Sequence, residues 1–233
     1  KLILLIIDSL FNNLKSLAPD LDIDFISNSN QMVKTRLVDI KTNQMLLRVD
    51  DNDLCDRYTG LDTLEFYDIV IISDYDKGFL HKDDIKFLID RSQFSFVDSK
   101  KTFLAIPSLV VVLIGLDRSQ LSFVDSKKTF GDWANNATFI KINEPEYEKN
   151  KDNFTNFKGQ LIVTLGEKGV KWGELIYPPS RQAEVSDLSG AGDTFFAGFI
   201  LEYLKSESII KSINFAQDCS LNAVEKKGVV IIK

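Results

Sequence analysis

The chain has 233 residues, 44% of them apolar and 27% charged, enough for one large domain or two small ones and enough to bury a real core. Its 28 Lys and Arg against 34 Asp and Glu leave a formal charge of −6, which excludes a nucleic-acid protein working through a broad basic face. The one histidine, His81, excludes any centre built on two imidazoles, and the two cysteines, Cys55 and Cys219, are too few for a disulfide framework and suit a reducing compartment.

The opening apolar run, residues 2–7, stops at Asp8; it has the length of a strand and is too short for a secretory leader. Residues 32–39 and 44–50 mix polar and apolar side chains around Ile40-Lys-Thr-Asn43 and predict an antiparallel hairpin. Strands buried on both faces are expected at 69–73, 94–97, 121–124, 139–142 and 161–165, and helices at 81–90, 195–205 and 209–224. Near-continuous Ile/Val/Leu strands alternating with helices imply an α/β fold, with a mostly parallel sheet covered on both sides. The longest apolar stretch, residues 103–116, contains Pro107 and falls short of the ~20 residues of a membrane helix. No membrane partner is expected, and the cytoplasm is the default compartment.

Residues 90–103, Asp-Arg-Ser-Gln-Phe-Ser-Phe-Val-Asp-Ser-Lys-Lys-Thr-Phe, recur at 117–130 with only Phe94 replaced, by Leu121. Structural repeats tolerate drift. Near-identity at one place fits a recent tandem duplication, an assembly error or a misread stretch of chain better than an evolved repeat. Only one strand is expected there, so residues 104–130 read as an atypical insert or duplication. The second copy adjoins the downstream motifs, which makes Asp125, Lys127 and Lys128 the expected working set.

Three motifs point to chemistry. Asp187-Leu-Ser-Gly-Ala-Gly-Asp-Thr-Phe195 leads into a helical run. Gly190 and Gly192 let the backbone approach a ligand, and the N–H groups of a helix start favour an anion. Asp193 at that start can act as a base, or it and Ser189 can be plain N-caps. Leu161-Ile-Val-Thr-Leu-Gly-Glu-Lys-Gly169 is a strand entering a glycine-punctuated turn, either a nucleotide lip or an ordinary strand end. Lys141-Ile-Asn-Glu-Pro-Glu146 sets Asn143 and Glu146 three apart. They are hard oxygen donors for Mg²⁺, or members of a solvated charged loop. A phosphate cradle and a carboxylate at one helix start are what phosphoryl transfer requires.

In this order, N-x-x-E, T-L-G-x-x-G and D-x-S-G-A-G-D-x-F resemble the motifs of ribokinase-like (PfkB) carbohydrate kinases, over roughly residues 31–228 apart from the insert. The resemblance implies a single domain over 1–233, a three-layer α/β/α sandwich with a mostly parallel sheet and a small β lid at about 32–50. It implies ATP and Mg²⁺, with γ-phosphoryl transfer to a sugar hydroxyl. By it, Gly190, Ala191 and Gly192 form the anion hole and Asp193 is the base. Asn143 and Glu146 organise Mg²⁺ and the phosphates, Thr164, Gly166 and Gly169 match the nucleotide-side turn, and Asn222 lies in the helix that walls the adenine. Residues 33–38, 44–50 and Ser73-Asp-Tyr-Asp-Lys-Gly78 are most similar to the family's heptose-phosphate kinases. That similarity makes Asp8, Lys34, Arg36, Arg48, Asp74 and Lys77 candidates around a sugar phosphate, whose oxygens Arg and Lys suit. Each of the basic residues could equally be a solvated charge on a hairpin. Exposed strand edges need covering, and in relatives the flap clasps a second copy into a homodimer.

The resemblance fails at one junction. The family carries a substantial sugar-binding and lid segment between its first strand and the helix resembled by residues 12–17. Here Asp8-Ser-Leu10 runs directly into Phe11-Asn-Asn, with Asp8 expected at the end of the first strand. Either the polypeptide contains that segment and the kinase reading is intact, or the chain is rearranged and nothing closes over the sugar to exclude water.

Overall fold

A computed structural model describes residues 2–5, 8–19, 23–27, 33–39, 45–51, 54–64, 69–92 and 121–226. Ten strands lie there: β1 (Leu2–Leu5), β2 (Ile23–Ile26), β3 (Val33–Val38), β4 (Met45–Asp51), β5 (Ile69–Asp74), β6 (Leu121–Ser126), β7 (Phe139–Asn143), β8 (Gln160–Thr164), β9 (Val170–Trp172) and β10 (Leu175–Tyr177). The helices are α1 (Asp8–Leu17), α2 (Lys82–Ser92), α3 (Glu144–Asn150), α4 (Ala191–Ser206) and α5 (Ile209–Val224).

Eight strands form one sheet in the order β10-β9-β8-β7-β6-β5-β1-β2. The six from β8 to β2 run parallel, and β9 and β10 add an antiparallel edge. Side chains alternate between the faces of a strand, and that alternation sorts the core into two layers. Ile71, Phe123, Phe139 and Ile162 face one way and pack with Leu14 of α1, Phe195, Phe196 and Phe199 of α4 and Ile213 of α5. Their neighbours Val70, Ile72, Val124, Ile140 and Val163 face the other way, against Ile85, Leu88 and Ile89 of α2 and Tyr147 of α3. The result is the expected α/β three-layer sandwich. Phe139 stacks on Phe123 at 5.0 Å between ring centroids and meets Tyr203 edge-on at 4.6 Å. Each fully buried Phe of this kind contributes about 1.5–3 kcal/mol.

The second copy of the repeat supplies β6, between β5 and β7. The strand expected at 94–97 lies outside the described residues, as does the rest of the insert up to 120. The hairpin forms where expected, as a separate two-stranded sheet of β3 and β4 with Arg36 opposite Arg48 and Lys34 opposite Asp50. Two expectations need correction. Asp8 does not end the first strand; it opens α1, which runs unbroken across residues 10 and 11. The charged stretch after β7 is not a loop but the helix α3.

Candidate active site

Parallel strands bring their C-terminal ends to one edge of the sheet, where α/β proteins bind ligands. There β5 ends at Asp74, β6 at Ser126 and β7 at Asn143, beside the start of α4. Gly190 caps α4 in the left-handed conformation, φ +78°, and no side chain bonds the cap. Thr194 N–H donates to the Gly190 carbonyl at 2.9 Å. Asp193 and Ser189 are therefore not N-caps. Asp187 steadies the preceding turn by accepting from Ser189 N–H at 2.8 Å. Ser186 and Asp187 N–H both donate to the Val224 carbonyl at the end of α5. The helix start is shaped by backbone, which suits an anion.

Strand alternation then delivers charges to this spot. On β6 and β7, Asp125 and Lys141 share the faces of Phe123 and Phe139, the faces that α4 covers. Lys141 Nζ donates to Asp125 Oδ2 at 2.7 Å, and both residues are only 6% exposed. Burial alone would lower the lysine's pKa. The Asp125 charge and hydrogen bond, with Asp193 and Glu146 behind them, instead hold it above its ordinary value. A Cβ on Gly192 would stand 3.2 Å from that ammonium, a tight contact at which the lysine would have to shift. Tyr75, next after β5, donates its phenol to Asp193 Oδ1 at 2.8 Å. Lys128, buried, bridges Asp74 at 2.9 Å and Asp76 at 2.6 Å. Desolvation opposes its charge, but the two carboxylates outweigh it and raise its pKa. Of the three residues expected from the second repeat copy, Asp125 pairs with Lys141 and Lys128 with Asp74 and Asp76.

Asn143 and Glu146 have a structural role in the first instance. Asn143 Oδ1 accepts from Glu146 N–H at 2.9 Å, and Glu146 Oε2 accepts from Asn143 N–H at 3.2 Å. This reciprocal capping box starts α3 with Pro145 in the first turn. The other Glu146 oxygen accepts from Lys127 Nζ at 2.5 Å. No group of three or more His, Cys, Asp or Glu able to hold a metal occurs among the described residues. Mg²⁺ characteristically takes one or two carboxylates plus substrate phosphates. Asn143 and Glu146 offer hard oxygens of that kind, a fit for an ion arriving with phosphates rather than a self-contained cage.

The remaining candidates are spread more widely. Thr164 pairs with Asn143 across β7 and β8 and donates weakly to the Ile142 carbonyl. Gly166 and Gly169 flank a single 3₁₀ turn with φ of +62° and +100°. A Cβ on Gly166 would meet nothing within 4 Å, whereas one on Gly169 would stand 2.1 Å from the Tyr177 carbonyl. Gly169 is thus required by β10's close approach, and Gly166 faces open space. Asn222 Oδ1 accepts from Arg181 Nη2 at 3.0 Å, and Arg181 also forks onto Glu225. Lys77 is half-buried, and its carbonyl accepts from Cys55 N–H at 2.8 Å. Lys34, Arg36 and Arg48 stand on the separate hairpin. Lys141 and Tyr75 were not among the sequence candidates, although the period-two pattern of the strands placed both on the α4 side.

Residues 110–232 match the pfkB family of carbohydrate kinases, more than half of the chain. The chain belongs to this family, whose members are phosphotransferases with an alcohol group as acceptor. Among curated relatives, the bifunctional protein HldE of Nitratiruptor sp. is 29% identical over 211 residues, which cover 87% of this chain and 41% of that protein. HldE of Helicobacter pylori strain J99 is 39% identical over 70 residues, 29% of this chain and 15% of that protein. The chain therefore spans less than half the length of these relatives. Solved structures share the fold. The ligand-free nucleoside kinase of Burkholderia thailandensis matches with a TM-score of 0.58 and 13% identity over 97% of this chain and 73% of its own. The ribokinase of Thermotoga maritima matches with a TM-score of 0.55 and 14% identity over 97% and 74%. No described helix is long and apolar enough to cross a membrane.

Proposed function

We propose that this pfkB-family chain is an ATP- and Mg²⁺-dependent kinase that transfers the γ-phosphoryl group to a hydroxyl of a sugar phosphate, D-glycero-D-manno-heptose 7-phosphate at its 1-hydroxyl. One observation carries the reading. Asp193 sits in the first turn of a helix whose cap is backbone alone, and its carboxylate accepts a hydrogen bond from Tyr75.

In this reading the acceptor hydroxyl gives its proton to Asp193 as its oxygen bonds to the γ-phosphorus. The bond from that phosphorus to the β–γ bridging oxygen breaks, and ADP leaves. Gly190, Ala191 and Gly192 present backbone N–H groups to the transferring group, and buried Lys141 adds positive charge beneath them. Asn143 and Glu146 would hold Mg²⁺, which neutralises phosphate charge. Thr164, Gly166, Gly169 and Asn222 lie on the nucleotide side. Asp8, Lys34, Arg36, Arg48, Asp74 and Lys77 are assigned to the sugar phosphate. The relatives named HldE favour a heptose phosphate and a cytoplasmic role in ADP-heptose supply. The exposed Leu37, Leu47 and Val49 of the hairpin favour a homodimer joined through it.

Asp193→Asn tests the reading, because base catalysis of this kind is worth ~10²–10⁴-fold. Turnover should fall by at least ~10²-fold while ATP affinity stays nearly unchanged. Equal losses in both would mean that Asp193 shapes the helix start and takes no proton. Two other readings have an observation behind them. Fold neighbours that are nucleoside kinases favour a different acceptor, and a substrate panel separates the two, since a phosphate-reading site rejects unphosphorylated sugars and nucleosides. The unbroken run of α1 across residues 10 and 11 favours a rearranged, non-catalytic ATP-binding relative. ATP binding with no phosphorylated product from any acceptor would select it.

A further inference from the structure

In the S-D-Y-D-K-G segment, Tyr75 and Asp76 lie between Asp74 and Lys77. Tyr75 and Asp193 lie 118 positions apart, and their hydrogen bond joins the end of β5 to the start of α4. Ile71 faces the α4 layer, so alternation along β5 aims Ser73, and Tyr75 just beyond it, the same way.

The backbone around Tyr75 is fixed on both sides. The Asp74 carbonyl accepts from Lys127 N–H at 2.8 Å, and Cys55 N–H donates to the Lys77 carbonyl at 2.8 Å. Lys128 binds Asp74 and Asp76, the two neighbours of Tyr75, with one ammonium group. Lys127 Nζ, held by Glu146, lies 5.9 Å from the centroid of the Tyr75 ring, within cation–π range. Asp76 turns the chain at φ +56°, a conformation that non-glycine residues keep only when the surroundings impose it. A phenol anchored in this way does more than satisfy the nearest carboxylate. It meets Asp193 Oδ1 from a direction that this anchoring sets.

We propose that Tyr75 is a positioning residue for phosphoryl transfer, holding the Asp193 carboxylate at the angle needed to take the acceptor's proton. The inference rests on Asp193 being the base. Burial, and then the neighbouring Asp193 charge, push the phenol's pKa well above its ordinary value, so it remains a proton donor across the working range. The same anchoring links the α3 corner to the base through Glu146, Lys127 and the Tyr75 ring.

The test is a double-mutant cycle with Mg·ATP and D-glycero-D-manno-heptose 7-phosphate, combining Tyr75→Phe with Asp193→Asn. Groups that act as a unit give non-additive losses. Tyr75→Phe alone should lower kcat by about 10–100-fold, the effect of one hydrogen bond to a charged group. KM for both substrates should stay within about twofold. In the Asp193→Asn background, Tyr75→Phe should cost nothing further. An unchanged kcat in Tyr75→Phe would overturn the proposal. So would losses that multiply in the double variant, or a kcat loss that tracks a lowered melting temperature. If Asp193→Asn itself leaves turnover intact, the base assignment fails whatever Tyr75 does, so the two failures are distinguishable.

Discussion

The edge where β5, β6 and β7 meet α4 and the hairpin of β3 and β4 solve opposite problems. At the first, polar side chains from different elements are matched: buried Lys141 with buried Asp125, buried Lys128 with buried Asp74 and exposed Asp76, and half-buried Tyr75 with half-buried Asp193. At the second, apolar side chains face outward, with Leu37 57% and Leu47 55% exposed. Their positions opposite each other in the register put them on one face. Buried charge is tolerated only when paired, and a lone two-stranded hairpin is marginal in water. The strand-end cluster thus finds its partners within the fold, while the hairpin leaves apolar surface uncovered.

The largest effect should come from unbalancing the first region. Lys141→Met leaves Asp125 buried without its cation, and breaking a buried pair from one side costs about 3–5 kcal/mol. Denaturant unfolding should show that loss, with nucleotide binding weakened as well. Adding Asp125→Leu removes the stranded charge and should restore most of the stability, but not the binding. If the single variant loses less than about 1 kcal/mol, the pair is more hydrated than its burial indicates, and the contrast between the two regions collapses.

The glycine turn after β8 offers a smaller, internally controlled comparison. Gly166→Ala meets no neighbour and bears only a left-handed φ, a cost of about 1–2 kcal/mol. Gly169→Ala adds a collision with the Tyr177 carbonyl to its own strained backbone, which alone costs about 1–3 kcal/mol. Melting temperatures should therefore rank wild type, Gly166→Ala, then Gly169→Ala. ATP binding should be more sensitive at Gly166 than its stability loss explains, since that position faces open space at the turn assigned to nucleotide. The reverse pattern would move the nucleotide away from this turn.

The sheet was readable in the sequence because parallel strands are buried on both faces, so β5, β6, β7 and β8 appear as unbroken apolar runs. Helix α5 was readable to the residue because Ser208 caps it and its apolar stripe is regular. Strand β2, Ile-Asp-Phe-Ile, is too short to stand out, and β9 and β10 are three residues each. Helix α3 was hidden by ambiguity rather than by weakness of signal: N-x-x-E is both a family motif and a capping box. Lys141 was missed for a different reason. A lysine inside a strand is tolerated only because Asp125, 16 positions earlier, arrives on the adjacent strand, and no local pattern announces such a partner. The sequence indicated a single strand where two near-identical copies stand, and the second, which leads into Gly131 and β7, forms β6.

The smallest effect on stability, and the one that decides what the hairpin does, concerns its apolar face. Leu37→Gln with Leu47→Gln changes side chains that are more than half exposed. Such surface substitutions ordinarily stay within about 0.5 kcal/mol each. If the face is covered by a second copy, the wild-type chain should sediment as a dimer at micromolar concentration, and the double variant as a monomer with a nearly unchanged melting temperature. A wild-type monomer at every concentration would rule the homodimer out. The exposed leucines would then have to be covered from within, by an acceptor or by a lid, and in that case the same variant should raise KM for the sugar phosphate while leaving KM for ATP alone.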